Sequence, residues 1–534
     1  MFWLAILIIT LLCPPALAED CLSCHKGIKT IDKTHNFSCE SCHVLPDKDA
    51  LKHEVIENPS DPKYVSIFCG KCHQKEIKEV KNSLHSTCSG IINQTRYLFG
   101  AQNLSPIYSA NDALKKIPLS PEKPSSNKEI VDDFLRRACL KCHINVKGEK
   151  GRGLYRSTGC AACHMETDND GAYKGKDSTM LGKVGYPKYH KLMKHPSDKT
   201  CLHCHNKRAV GTDYYGMYPH DYSHEYRSPV GEEKIYGIDF HYLTSDIHQK
   251  LGLSCVDCHR KEIMKNNKDT MDELKAVGIS CEDCHGGYNK KPNKKYVKII
   301  NKKYIYTSVK GKKYAVHLFN KDVIPHYAFH ENVSCSACHS AWNYGDYGFY
   351  TFRDDTDNYT MWENLFVSGD PETETFLKNV WENQRKDIKV KPISKDYISK
   401  KMEKGIWHHG FMFRRWEWGI LVKHNGKYLI GRPFQYAVTY KDENKRVLIN
   451  NENSRWTIMP YIPHTTTLKG RDCLSCHLNS VAAGNGLWKE GNIKLLIPSA
   501  PIFEYNRLLT KQEKQKLLNR EKFGKYYLLY KFKF

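Results

Sequence analysis

The chain has 534 residues, with 22 cysteines, 27 histidines and a formal net charge of +23 at pH 7. Hydrophobic residues make up 40% of it and the mean hydropathy is −0.62, so aliphatic burial alone does not organise a chain of this length. The length allows several domains, and the cysteine count lies far outside ordinary cytosolic usage.

Residues 1–18 read as a signal peptide. An apolar stretch runs from Phe2 to Leu12, Pro14 and Pro15 follow, and Ala16-Leu17-Ala18 supplies the cleavage pattern. The stretch is too short to span a bilayer, and no later segment reads as transmembrane. Cys13 lies between Leu12 and Pro14, without the small residue a lipid-attachment signal wants. The expected location is outside the cytoplasm: periplasm, cell surface or medium.

Residues 19–110 hold three copies of Cys-x-x-Cys-His: Cys21, Cys24 and His25; Cys39, Cys42 and His43; Cys69, Cys72 and His73. The Pro- and Ser-rich stretch at 111–130 reads as a linker. Six more copies fall in 131–340. They are Cys139, Cys142 and His143; Cys160, Cys163 and His164; Cys201, Cys204 and His205; Cys255, Cys258 and His259; Cys281, Cys284 and His285; Cys335, Cys338 and His339. In this region, residues of about 290–320 alternate β-branched or aromatic residues with lysine and read as a small exposed sheet.

Residues 341–470 lack the motif and read as a β-rich module, with a hairpin turning at Asn425-Gly426. The module is expected to cover the last two motifs. The tenth copy, Cys473, Cys476 and His477, lies in 471–534, whose tail "KYYLLYKFKF" reads as an amphipathic strand.

Ten copies use twenty of the 22 cysteines and leave Cys13 and Cys88 outside. Cys-x-x-Cys-His is the attachment site of haem c: both thiols become thioethers and the histidine supplies an axial imidazole to the iron. Zinc sites need two such pairs, or one pair with distant histidines, and a thioredoxin-like pair occurs once. Ten covalently attached haems c are therefore expected, and the rings themselves are expected to organise the chain. Their propionates, roughly twenty carboxylates, nearly cancel the excess of Lys and Arg, which removes the reason to invoke nucleic acid. Cys88 is then a structural thiol or a link between chains.

Seventeen histidines remain for the second axial position, more than ten irons need. An iron with two imidazoles is closed and transfers electrons without binding substrate; an open one can reduce a small molecule. His35, His195, His248, His330 and His464 each stand just upstream of a motif and can reach a neighbouring ring. His53, His85, His190, His241 and His326 complete the expected set. His203 lies inside the sixth motif, and His220, His224, His317, His408, His409 and His424 are left as surface histidines, replacements for some of the chosen ligands, or proton-transfer groups.

The phrases "STGCAACHM", "GLSCVDCHR", "CEDCHGG" and "VSCSACHSAW" resemble the large secreted multihaem cytochromes c of anaerobes that respire metals, sulfur compounds or partner cells, over residues 20–345. The resemblance implies electron transfer with redox partner proteins or an external acceptor, and sometimes assembly of copies into filaments. The expected fold class is a haem-organised multihaem cytochrome c with short helices, little regular secondary structure and a β-rich module near the C-terminus. A carrier is expected rather than an enzyme. The rival class comprises pentahaem nitrite reductases, octahaem hydroxylamine oxidoreductases and tetrathionate reductases; the Cys-x-x-Cys-Lys signature of the first is absent.

Overall fold

The computed structural model describes residues 21–28, 33–50, 52–102, 114–148, 155–168, 171–206, 211–219, 240–260, 274, 277–357, 392–417, 419–451, 456–484, 500–501 and 506–531. The expected signal peptide, Cys13, His220 and His224 lie outside the described residues.

Most helices are single turns that carry a motif. Longer ones are Gly70–Lys81, Ser89–Leu98, Asn127–Phe134 and Arg520–Lys531. Helix Asn127–Phe134 starts sharply because the Ser126 hydroxyl accepts from the Glu129 N–H while the Glu129 carboxylate accepts from the Ser126 N–H. A π-helical turn, Leu135–Cys139, then feeds the chain into the fourth motif.

Strands β1 (Met217–Pro219) and β2 (Phe240–Tyr242) form an antiparallel pair. Strands β3 (Val297–Ile300), β4 (Lys303–Thr307) and β5 (Lys313–Ala315) form a three-stranded antiparallel sheet within the region expected from the alternation. Its first turn places both Asn301 (φ 47°) and Lys302 (φ 63°) in the left-handed region, which matches the right-handed twist of a two-residue hairpin.

The remaining strands are β6 (Asn343–Asp354), β7 (Ile393–Lys395), β8 (Met402–Lys404), β9 (Ile406–Glu417), β10 (Ile420–His424), β11 (Lys427–Lys441), β12 (Val447–Asn451), β13 (Trp456–Tyr461), β14 (Ala500–Pro501) and β15 (Asn506–Leu508). All but β7 and β8 join one eight-stranded sheet. Strand β11 is its spine. Its first part pairs with β10 and β13; its last part pairs with β12 and, in parallel, with β6, which carries β9 on its other edge. The β10–β11 hairpin turns at Asn425 (φ 47°) and Gly426 (φ 81°), as its Asn-Gly pair predicts.

Three expectations need correction. The sheet covers more than the last two motifs: it packs on the ninth, where Ala337 is buried with Tyr344, Leu421 and Ile430, and also on the fourth. There Phe349, Trp407, Val438 and Tyr440 share a core with Ile92, Phe134, Leu135 and Leu140. Apolar side chains from 92–140 and from 349–440 thus close one core, and a boundary at 340/341 cuts through it. The stretch 111–130 is also built in rather than a free tether, since Ile117 and Ile130 are buried in that core.

The third correction concerns the tail. Residues up to Lys531 form a helix, not a strand. The preceding helix, Lys511–Leu517, has a Thr510–Glu513 capping box, and Arg520, Glu521 and Lys522 are good helix formers that carry the Tyr and Leu residues along.

Under the sheet, at the fourth motif, lies a set of buried ion pairs. The Arg96 guanidinium grips Asp132 at 2.6 and 2.7 Å. Arg136 donates to Asp396 at 2.6 Å, and Asp133 accepts from Arg137 (2.9 Å), Arg353 (3.2 Å) and the Trp407 indole (2.8 Å). Arg353 also pairs with Asp355 at 2.9 Å. With carboxylates and guanidinium groups matched in this way, few buried charges lack compensation.

Candidate functional site

The Cys-x-x-Cys-His spacing closes a single helical turn, which brings the two thiols to one side. His25, His43, His73, His164, His205, His259 and His477 each donate their backbone N–H to the carbonyl of their motif's first cysteine, at 2.8–3.0 Å. Caps start several of these turns: Ser197, Ser334 and Asp472 accept from an N–H in the first turn, and Ser254 with Asp257 and Ser280 with Asp283 form capping boxes. Among the described residues the motif cysteines form no disulfide, so each site brings two thiols together.

Each of eight motif imidazoles faces one other imidazole. The ring-centre separations are 6.3 Å for His25 and His53, 6.0 Å for His43 and His190, 6.1 Å for His73 and His35, and 6.3 Å for His205 and His85. They are 6.0 Å for His259 and His464, 6.0 Å for His285 and His248, 6.2 Å for His339 and His326, and 6.1 Å for His477 and His330. Two metal–nitrogen bonds of about 2 Å, with roughly 1 Å from each nitrogen to its ring centre, come to about 6 Å. The pairs therefore fit one metal ion between two imidazoles. Among the described residues no cluster of three or more His, Cys, Asp or Glu side chains fits a bare ion. Two imidazoles suit an iron whose remaining ligands come with it, as in haem.

Ring orientation is set from behind. The Nδ1 of His43 bonds the Ile56 carbonyl (2.7 Å), that of His164 the Met193 carbonyl (2.7 Å), that of His285 the His317 carbonyl (2.6 Å) and that of His339 the Thr467 carbonyl (3.0 Å). His25 and His248 use carboxylates, Asp177 and Asp246, both at 2.8 Å. A proton held on Nδ1 leaves Nε2 bare for a metal. Burial holds His205 and His259 at about 4, so both imidazoles are neutral, as a ligand must be. Burial acts the same way on His464, but Asp213, 3.6 Å away, outweighs it and raises that group.

Eight of the ten second-position histidines expected from the sequence thus stand opposite a motif imidazole. His195 and His241 do not; His195 is exposed, and the His241 ring lies 6.5 Å from Tyr218 across the β1–β2 pair. Among the described residues neither His143 nor His164 faces a second imidazole in this way. The fourth motif also folds differently. The His143 backbone N–H donates to Leu140 rather than Cys139; its Nδ1 accepts from the Asn145 N–H (3.2 Å) and its Nε2 donates to the Ser86 carbonyl (2.5 Å). The partly buried Cys88 thiol lies by this motif. Burial pushes it up to about 12, with Cys142 and Cys139 adding and Arg156 opposing. The carboxylates behind the rings were not expected from the sequence. Asp246, two residues before His248 and its helix cap, carried a local signal; Asp177 and Asp213 carried none.

Successive sites touch. The Cys204 thiol donates to the Cys142 carbonyl at 3.4 Å, and the Cys201 thiol lies beside Cys255 and the Cys281 thiol beside Cys335. Groups attached at the fourth, sixth and seventh motifs, and at the eighth and ninth, are accordingly neighbours.

Two family models match. Cytochrome c3 matches residues 247–346, and cytochrome c554 and c-prime matches residues 200–286. Together they cover 200–346, less than a third of the chain, around the sixth to ninth motifs. No curated protein and no solved structure matches the chain. With the motif spacing, the two families support a multihaem c-type cytochrome with covalently bound haem and a role in electron transfer or redox chemistry. No helix among the described residues is long and apolar enough to cross a membrane.

Proposed function

We propose that the chain is a decahaem c-type cytochrome, exported from the cytoplasm, that carries electrons along closely packed haems between cell-envelope donors and a periplasmic or external acceptor. The eight facing imidazole pairs carry this reading, because an iron closed on both sides has no place for substrate. Haem c supplies a one-electron couple. The chain's residues hold several of the ligand rings by their Nδ1 atoms, keep His205 and His259 neutral and bring attachment points close together. Partners are redox proteins or an external acceptor, and copies of the chain can associate into a homo-oligomer or filament.

The reading implies ten haems on denatured protein, checked by intact mass and pyridine haemochrome assay; a lower number would mean that some motifs are not attachment sites. It also implies low-spin ferric signals in the low-temperature EPR spectrum of the oxidised protein.

A second reading rests on the fourth motif. Its histidine turns Nε2 to a backbone carbonyl and meets no second imidazole among the described residues. An iron there would keep one axial position without histidine, as in a multihaem reductase of hydroxylamine, nitrite or tetrathionate. A high-spin signal that shifts on adding one of these compounds would select this reading.

A further inference from the structure

Between Asp283 and Asp322 the sequence has no acidic residue and eleven lysines: Lys290, Lys291, Lys294, Lys295, Lys298, Lys302, Lys303, Lys310, Lys312, Lys313 and Lys321. All eleven are exposed. They lie on and around the β3–β5 sheet, which also exposes Ile299 (64%) and Ile300 (40%). Of the eleven, Lys290 is held by a carboxylate, Asp283, at 2.7 Å. The propionates of the two neighbouring haems, about four carboxylates, would cancel less than half of this charge.

The sheet is fixed to two candidate haem sites. On one side, the Asp257 carboxylate inside the seventh motif accepts from the Tyr306 hydroxyl (2.9 Å) and the Val309 N–H (2.7 Å). On the other, the His317 carbonyl accepts from Nδ1 of His285, and the Phe319 N–H donates to the His285 carbonyl at 2.8 Å. The lysines are therefore a rigid positive field whose base is the ligand histidine of the eighth site.

We infer that this sheet is the docking surface for an acidic, soluble electron-transfer protein, and that electrons cross between the two at the eighth site. The inference rests on the electron-carrier reading above. A dense field of one sign steers an oppositely charged partner and raises the association rate, and the exposed Ile300, on the same face as Lys298, Lys303 and Lys313, supplies an apolar contact within the charged rim. One electron leaves the reduced partner and enters the oxidised chain; no bond is made or broken.

The test uses the full-length haem-loaded protein, with dithionite-reduced plant-type ferredoxin as the acidic probe and photoreduced lumiflavin as an uncharged one. The variants are K298E/K303E/K313E on the sheet and K75E/K78E/K81E on helix Gly70–Lys81, with K298Q/K303Q/K313Q as a milder version of the first. The expected result is a fall of about 10-fold or more in the ferredoxin rate at low salt for the sheet variant alone, with a flatter salt dependence. Its haem content and lumiflavin rate stay at the wild-type level, and the Gln variant falls between. Equal ferredoxin rates for all proteins, or a loss confined to the helix variant, would overturn the docking site. Unchanged ferredoxin rates with lost binding to phosphatidylglycerol vesicles would also overturn it, and assign the lysines to a lipid surface. Failure of lumiflavin to reduce the wild-type protein would instead overturn the carrier reading itself.

Discussion

Asp133→Ala is expected to lower the unfolding free energy of the haem-loaded protein by about 3–5 kcal/mol, the cost of removing one partner from a buried charge set. Asp133 accepts from Arg137, Arg353 and the Trp407 indole, and all three buried donors would lose this partner. Arg353 keeps Asp355, but Arg137 retains only the Ser394 hydroxyl and the Glu403 and Gly405 carbonyls. Urea unfolding followed by circular dichroism reads the change. Glu443→Ala, which breaks surface pairs with Lys123 and Lys404, is the comparison and should cost no more than about 1 kcal/mol. If both substitutions cost the same, the buried set does not hold the sheet to the fourth motif.

The second large effect is expected from His248→Met. The His248 ring faces His285 at 6.0 Å and is oriented by Asp246. Methionine in an axial position stabilises ferrous iron relative to imidazole, so one of the redox steps should move up by on the order of 0.1 V while the others stay. A spectroelectrochemical titration resolves that step. An unshifted titration would remove His248 from the ligand set.

The proposed attachment sites can be read from sequence because the chemistry is local: two thiols and an imidazole at fixed spacing need nothing from the rest of the chain. Most second-position histidines were also legible, since His35, His248, His330 and His464 stand a few residues before a motif. What the sequence could not say is which ring each one faces. His35 precedes the second motif but faces the third, and His464 precedes the tenth but faces the seventh. Such pairings depend on how distant segments cross, and no short-range pattern records that.

The same holds for the β-rich region. Its hairpins were visible in the alternation and in Asn425-Gly426, yet its attachment to the fourth motif rests on Asp133, Arg353 and Trp407, which lie far apart in sequence. His195 satisfied the positional rule and His241 completed the expected set, yet both stand outside the pairs, because proximity along the chain does not fix where a loop or strand turns its side chain. The tail misled in another way: its alternation suggested a strand, but the helix-forming residues before it set the backbone.

The crossing of the imidazole pairs has a consequence for biogenesis. His43 faces a residue that leaves the ribosome well over a hundred positions later, as do His85, His259 and His330. A nascent chain with its first three motifs exposed can complete the third site with His35 and the first with His53, while the second remains half-built. On the proposed decahaem reading, axial ligation therefore cannot be completed site by site from the N-terminus, and truncated products should accumulate with cofactor attached but with some irons lacking their second imidazole.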